Sequence, residues 1–344
     1  MRLGLAVPHY DTSFGGAPAQ WSGLKEVART AERAGFDSLW VSDHLFLDWG
    51  KYGGPSDPQG SLECFTTMGA LAATTDKMRI GSLTACNDLR APALLAKMIA
   101  SLDVLSGGRI DLGIGGGWYE PEYEAAGIPF ERAGARIERL REAAHICSRL
   151  LAGEELTFEG KHYSVRGAIC RPEPIQDPRP PVWIGGKGDK LLAQAARHAD
   201  GWNFSWLGSF DTYRERSEHA DRTCESIDRN PRELRRTVGA YVLVGRNEKD
   251  AQRRYERLVE RTPPGVLTAR NGGTGVSWAE FREKAVAGTV DEVSERLAGL
   301  ADRGVEEVIV SLGALPFQVA DLEDVELAGS ELGPVLRRTS GGNE

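Results

Sequence analysis

Short apolar runs alternate with longer amphipathic stretches through most of this chain. "RLGLAV" (2–7) is a compact apolar run that predicts a buried strand. "WSGLKEVARTAERAG" follows with helical spacing of its apolar positions and closes on Gly35, a C-cap residue. "FDSLWVS", "MRIGSLTAC" and "RIDLGIGGG" read as the next three strands. The helices "LECFTTMGALAATT", "PALLAKMIASLDVLSGG" and "RAGARIERLREAAHICSRLLAG" follow them in turn. Pro92 stands in the first turn of the third helix and Gly107-Gly108 lie just past its end, the usual asymmetry of helix termini.

The alternation then pauses. "ELTFEGKHYSV" reads as a hairpin around Gly160-Lys161, and "CRPEPIQDPRPP" as a Pro-rich connector, so 152–180 is expected to be an insertion between the fourth helix and the fifth strand. The pattern resumes with "PVWIGG" and "KLLAQAARHA", then "DGWNFS" and a helix over about 209–228. "RRTVGAYVLV" and "EKDAQRRYERLVER" come next. "TPPGVLTARNGGTGVS" reads as a loop, "TVDEVSERLAGLADRG" as a helix and "VEEVIVSLG" as the eighth strand. A run of β-then-α units predicts an α/β protein with a parallel sheet, and eight is the count that closes a (β/α)8 TIM barrel. A doubly wound open sheet is the rival, but no G-x-G-x-x-G follows the first strand. The expectation is one domain over 1–344.

In a barrel of this kind the active site lies at the C-terminal ends of the strands. Those ends carry His9-Tyr10, Asp43-His44, Thr84 to Asn87, Gly115-Gly116-Gly117-Trp118-Tyr119, Gly185-Gly186-Lys187-Gly188 and Asn203. The rim is rich in glycine and aromatic residues. It has neither the His/Asp/Glu set of a metal hydrolase nor the carboxylate pair of a glycosidase. "IGGKGDKLL" joins a strand directly to a helix start, which suits a phosphate, or is a plain tight turn. "GIGGGWYEPEY" either admits a ring system close to the backbone or merely turns the chain. His44 and, behind it, His9 are the candidate acid–base groups.

Composition narrows the partners. The net charge of −8 argues against nucleic acid. No apolar run reaches the roughly 20 residues of a membrane span, and the apolar part of the N-terminus is short for a signal peptide. Five scattered cysteines predict neither disulfides nor a zinc site. A cytoplasmic enzyme acting on a small molecule, with no metal, is the expectation.

Three stretches then carry a resemblance: "GFDSLWVSDHLF", the run from "RIGSLTACNDLR" through "RIDLGIGGGWYEPEYEAAGIPFERAGARIERLREA", and "PVWIGGKGDKLLAQAARHADGWN". In order and register they resemble the bacterial luciferase-like monooxygenase superfamily, and within it the branch using the deazaflavin coenzyme F420. The resemblance implies a barrel, usually dimeric, with a flavin or deazaflavin at the rim. It places His44 beside the ring with Asp43 orienting it, and a cis Leu83–Thr84 peptide behind the ring. It also implies cofactor contacts at Gly115, Gly116 and Gly117 and a phosphate loop over Gly185, Gly186, Lys187 and Gly188. Sugar-phosphate dehydrogenases of this branch carry an acidic glutamate where this chain has Trp118, so that substrate does not transfer. Trp49, Trp118 and Tyr119 are expected to wall the substrate pocket. FMN with a monooxygenase activity is the alternative cofactor reading, and a non-catalytic cofactor-binding barrel is the third. A homodimer is expected because the helix "LECFTTMGALAATT" is apolar or small nearly all round.

Overall fold

The computed structural model describes residues 1–267 and 275–338. Eight parallel strands close a ring: β1 (Arg2–Ala6), β2 (Ser38–Val41), β3 (Arg79–Ser82), β4 (Ile110–Gly115), β5 (Val182–Gly185), β6 (Gly201–Phe204), β7 (Arg235–Gly245) and β8 (Glu307–Ser311). Each strand pairs with the next, and β8 returns to β1 through Arg2↔Glu307 to Leu5↔Val310. The chain is therefore a (β/α)8 TIM barrel, as the alternation of patterns predicts. Helices follow the strands and cover the ring. The helix Trp21–Ala34 ends at Gly35 with φ 93°, and Pro92–Ser106 ends at Gly107 with φ 70°, a conformation that costs glycine no Cβ clash.

Two tryptophans fill the barrel interior. Trp40 on β2 and Trp183 on β5 meet edge to face at 6.5 Å. Room for them comes from missing side chains: a Cβ on Gly81 would lie 2.3 Å from Trp40, and one on Gly201 would lie 2.1 Å from Trp183. Buried carboxylates accept both indole N–H groups, Glu307 at 2.9 Å from Trp40 and Asp111 at 3.0 Å from Trp183. Arg2 and Arg79 in turn pair with these carboxylates, at 2.8 and 2.6 Å. The interior is thus a packed core in which each indole N–H meets a carboxylate and each carboxylate meets an arginine.

Between the helix Ala133–Leu151 and β5 lies an antiparallel hairpin, Leu156–Glu159 with Ser164–Ala168. The buried Glu142 carboxylate holds its tip, accepting the backbone N–H groups of Lys161, His162 and Tyr163 at 2.9–3.0 Å.

Two expectations need correction, and one segment carried none. The loop read over 262–277 runs into a helix, Trp278–Lys284, opened by a Ser277–Glu280 capping box. A strand, Val286–Thr289, then pairs with the upper half of β7. Part of that expected loop, 268–274, lies outside the described residues. The segment after β8 also forms helices, Leu322–Leu327 and Gly333–Arg338. Finally, the helix Cys64–Ala72 finds its cover within the chain: Phe65, Met68 and Leu71 are buried, and the neighbouring Pro92–Ser106 helix packs against it. It is Leu94 and Leu105 of that neighbour that stand exposed, at 53% and 75%. No helix among the described residues is long and apolar enough to cross a membrane.

Candidate active site

A cavity of about 360 Å³ opens at the C-terminal ends of the strands. His44, Asp43, Thr84, Gly115 to Gly117, Trp118 and Gly185-Gly186 all reach it, as do Tyr10, Lys51, Glu122 and Asn203.

Strand β2 ends where the chain must leave the ring, and its last residues divide into two jobs. Asp43 is buried. Its carboxylate accepts the Cys86 backbone N–H at 2.9 Å and a two-pronged contact from Arg90 at 2.6 and 3.1 Å. Burial pushes the Asp43 carboxyl above the ordinary aspartate range, with the Arg90 guanidinium pulling it back. Asp43 thus ties the end of β2 to the loop after β3. His44 faces the cavity, and its Nδ1 lies 2.9 Å from Glu122 Oε1. The second Glu122 oxygen accepts the Leu45 backbone N–H at 3.1 Å. A carboxylate has no hydrogen to give, so His44 Nδ1 carries the proton and Nε2 is left for the cavity. The rings of Trp118 and Tyr119 stand edge-on to the imidazole at 5.3 and 6.2 Å.

The rim glycines separate in the same way. A Cβ on Gly115 would lie 2.4 Å from Thr84 Oγ1, and one on Gly185 would lie 2.7 Å from Thr84 Cγ2. A Cβ on Gly117 (φ 65°) would fall 1.8 Å from the Tyr123 hydroxyl. These three glycines make room for the protein's own side chains. Gly116 and Gly188 face open space or an ordinary contact. The Leu83–Thr84 peptide is cis. On the far wall Asn203 donates from Nδ2 to Thr237 at 2.7 Å, while its buried Oδ1 has no hydrogen-bond partner among the described residues. An unpaired acceptor lining a cavity asks for a ligand donor.

Set beside known proteins, residues 1–307 match the profile of the luciferase-like monooxygenases. The chain belongs to that family. An F420-dependent glucose-6-phosphate dehydrogenase of Amycolatopsis mediterranei is 31% identical over 83% of this chain and 83% of its own. An FMNH2-dependent dimethylsulfone monooxygenase of Pseudomonas putida is 24% identical over 91% of this chain and 87% of its own. An uncharacterised protein of Mycobacterium tuberculosis is 34% identical over 51% of this chain, a match spanning 62% of that relative's length.

Within this luciferase-like barrel, several expected residues stand elsewhere than the sequence suggested. Asp43 does not orient His44: its oxygens are taken by Arg90 and the Cys86 N–H, and Glu122 holds the imidazole instead. Trp49 is fully buried, stacked edge-on to Tyr10 and Tyr52 behind the cavity wall, so it supports the pocket without lining it. Tyr119 packs behind Trp118 and Phe46, next to the cavity. Lys187 turns back along the rim, donating to the Trp206 carbonyl at 2.7 Å and lying over the Phe204 ring. Trp118 does line the cavity, 42% exposed, with the Lys51 ammonium 3.5 Å above its ring.

Sequence reasoning missed Glu122 and Arg90, and placed Tyr10 at a strand end without giving it a role. Glu122 sits in a six-residue helix, Glu120–Ala125, beyond the strand end where carboxylates were sought. The tight "GGGWYEPEY" turn, with Glu following the aromatics, was the available signal.

The site fits a flavin or deazaflavin on three counts. Glycines of the β4 and β5 ends line the cavity, Asn203 Oδ1 lacks a donor among the described residues, and a ten-residue helix, Asp189–His198, starts at Gly188 beside the rim.

Proposed function

We propose that this chain is a cytoplasmic oxidoreductase, one domain throughout, using the deazaflavin coenzyme F420 and a small organic substrate. One observation carries the reading: an imidazole, clamped by a buried carboxylate, presents Nε2 to the cavity at the strand ends. When bound, the deazaflavin supplies hydride transfer at its ring. The residues that would hold it are Thr84, Gly116, the Gly185-Gly186 backbone and Asn203, with the start of the Asp189–His198 helix toward its phosphate. The protein's own part is to manage the accompanying proton. Glu122 fixes the His44 tautomer, so Nε2 faces the cavity and can take a proton and return it. Trp118 and Lys51 cover the mouth and limit water. The 31% identity to an F420-dependent dehydrogenase, over 83% of both chains, supports this choice of cofactor.

The second reading, an FMN-dependent monooxygenase, draws on the Pseudomonas putida relative. Titrating one purified sample with F420 and with FMN separates the two. F420 binding at least tenfold tighter supports the proposal, and preference for FMN replaces it with the monooxygenase. If a cofactor binds and no turnover follows, the non-catalytic reading gains; if His44→Ala leaves turnover intact, His44 is structural.

A further inference from the structure

Behind the cavity, three buried side chains form a hydrogen-bonded row with a single allowed direction. His9 Nδ1 lies 2.9 Å from the Val7 carbonyl oxygen. A carbonyl only accepts, so Nδ1 carries the hydrogen. His9 is wholly buried, and burial pulls its pKa down to about 4, which leaves the ring neutral and Nε2 a bare acceptor. Ser42 Oγ lies 3.0 Å from that Nε2 and must donate to it. The one serine hydrogen is now used. The Tyr10 hydroxyl also bonds Ser42 Oγ, and it must donate there. Tyr10 lines the cavity, and Ser42 is its only hydroxyl partner among the described residues. With its hydrogen committed inward, Tyr10 Oη has lone pairs alone for a ligand that reaches it from the cavity.

We infer that Tyr10 is a specificity-determining residue, a fixed hydrogen-bond acceptor that selects substrates bearing a hydroxyl over the corresponding carbonyl compounds. A tyrosine would ordinarily serve either partner, because its hydrogen rotates. Here the Val7 carbonyl sets the direction at the far end of the row, and the cavity inherits it. The substrate class is an alcohol rather than a ketone or aldehyde. For the proposed oxidoreductase this makes alcohol oxidation the favoured direction, with the carbonyl product losing the contact that held its precursor. The inference deepens the cofactor proposal and rests on it only for that direction.

The test has two parts. In cofactor-free protein with ¹⁵N-labelled histidine, the His9 ring is expected as the Nδ1–H neutral tautomer between pH 6 and 8. An Nε2–H tautomer overturns the inference. Next, the chain is loaded with whichever of F420 or FMN it binds, so a failed cofactor proposal registers in the loading step alone. Cyclohexanol and cyclohexanone then serve as paired probes, with affinities read by ligand-observed NMR. Wild type should prefer the alcohol by roughly tenfold, the worth of one net hydrogen bond. Tyr10→Phe should abolish the preference. Ser42→Ala leaves the Tyr10 hydroxyl free to donate, so it should swing the preference toward the ketone, while an unchanged melting temperature certifies the fold. Equal affinity in wild type, no binding of either probe, or an unaltered preference in folded Ser42→Ala overturns the inference.

Discussion

His9 links the site to acidity as well as to specificity. Its pKa falls from 6.5 to about 4 because the wholly buried ring resists charge. The unfolded chain therefore binds a proton that the folded chain refuses. Stability is full above pH 6.5 and is lost as pH falls toward 4, by up to about 3 kcal/mol. Urea midpoints followed from pH 7 to pH 4 should show this loss, and His9→Gln should flatten it. At His44 the expected effect is on turnover. His44→Ala should lower it by about a hundredfold or more while cofactor affinity moves little, because proton handling matters in the transition state. Glu122→Gln keeps the shape and an oxygen acceptor for Nδ1–H, so it should lower turnover less than His44→Ala does. The site was legible in the sequence at this scale only in part. His44 was readable because a strand end in a barrel is a place to look. Its partner was misassigned because adjacency in sequence favoured Asp43, whereas successive residues leaving a strand point in different directions and Asp43 points to Arg90. The polarity of the Tyr10 row depends on a carbonyl orientation that composition and spacing do not carry.

At the scale of the element, rim glycines serve two ends. The sequence raised ligand contact for all of "GIGGG", yet Gly115, Gly117 and Gly185 give way to Thr84 and Tyr123. Gly185→Ala should then cost about 1–3 kcal/mol from overpacking against Thr84, visible as a lower melting temperature before any cofactor is added. If Gly185→Ala melts normally and loses only cofactor affinity, the contact with Thr84 is yielding and the ligand reading regains that glycine. The helix at Trp278–Lys284 was missed although its S-x-x-E start is present in "SWAE". Its seven residues span only two turns, too few for the apolar period to rise above the Gly-rich stretch before it. The eight barrel strands, by contrast, are buried on both faces and read as near-continuous apolar runs, the strongest pattern a sequence offers.

For the whole molecule, the homodimer remains our expectation, with its motive moved. The Pro92–Ser106 helix leaves Leu94 and Leu105 exposed at 53% and 75%, eleven residues apart and hence on one helix face. Leu105→Glu should convert a dimer to a monomer in sedimentation at micromolar concentration. A wild-type monomer under those conditions removes the expectation. A last consequence follows from β7, which is longer than the other barrel strands. Its lower part, Thr237–Tyr241, is held by β8, while Val242–Gly245 pairs with Val286–Thr289. The segment between leaves the barrel and comes back to the same strand, and Tyr241 at the junction stacks on the cavity residue Trp206 at 5.1 Å. Such a segment is a natural unit of evolutionary exchange. Recombination between related genes at its two ends would exchange what lies beyond Tyr241 at a stroke, leaving every ladder of the ring unbroken. Chimeras that carry a relative's segment from 246 to 285 are expected to fold as barrels with the host's melting cooperativity, and to keep the host's cavity lining, none of which lies within the segment.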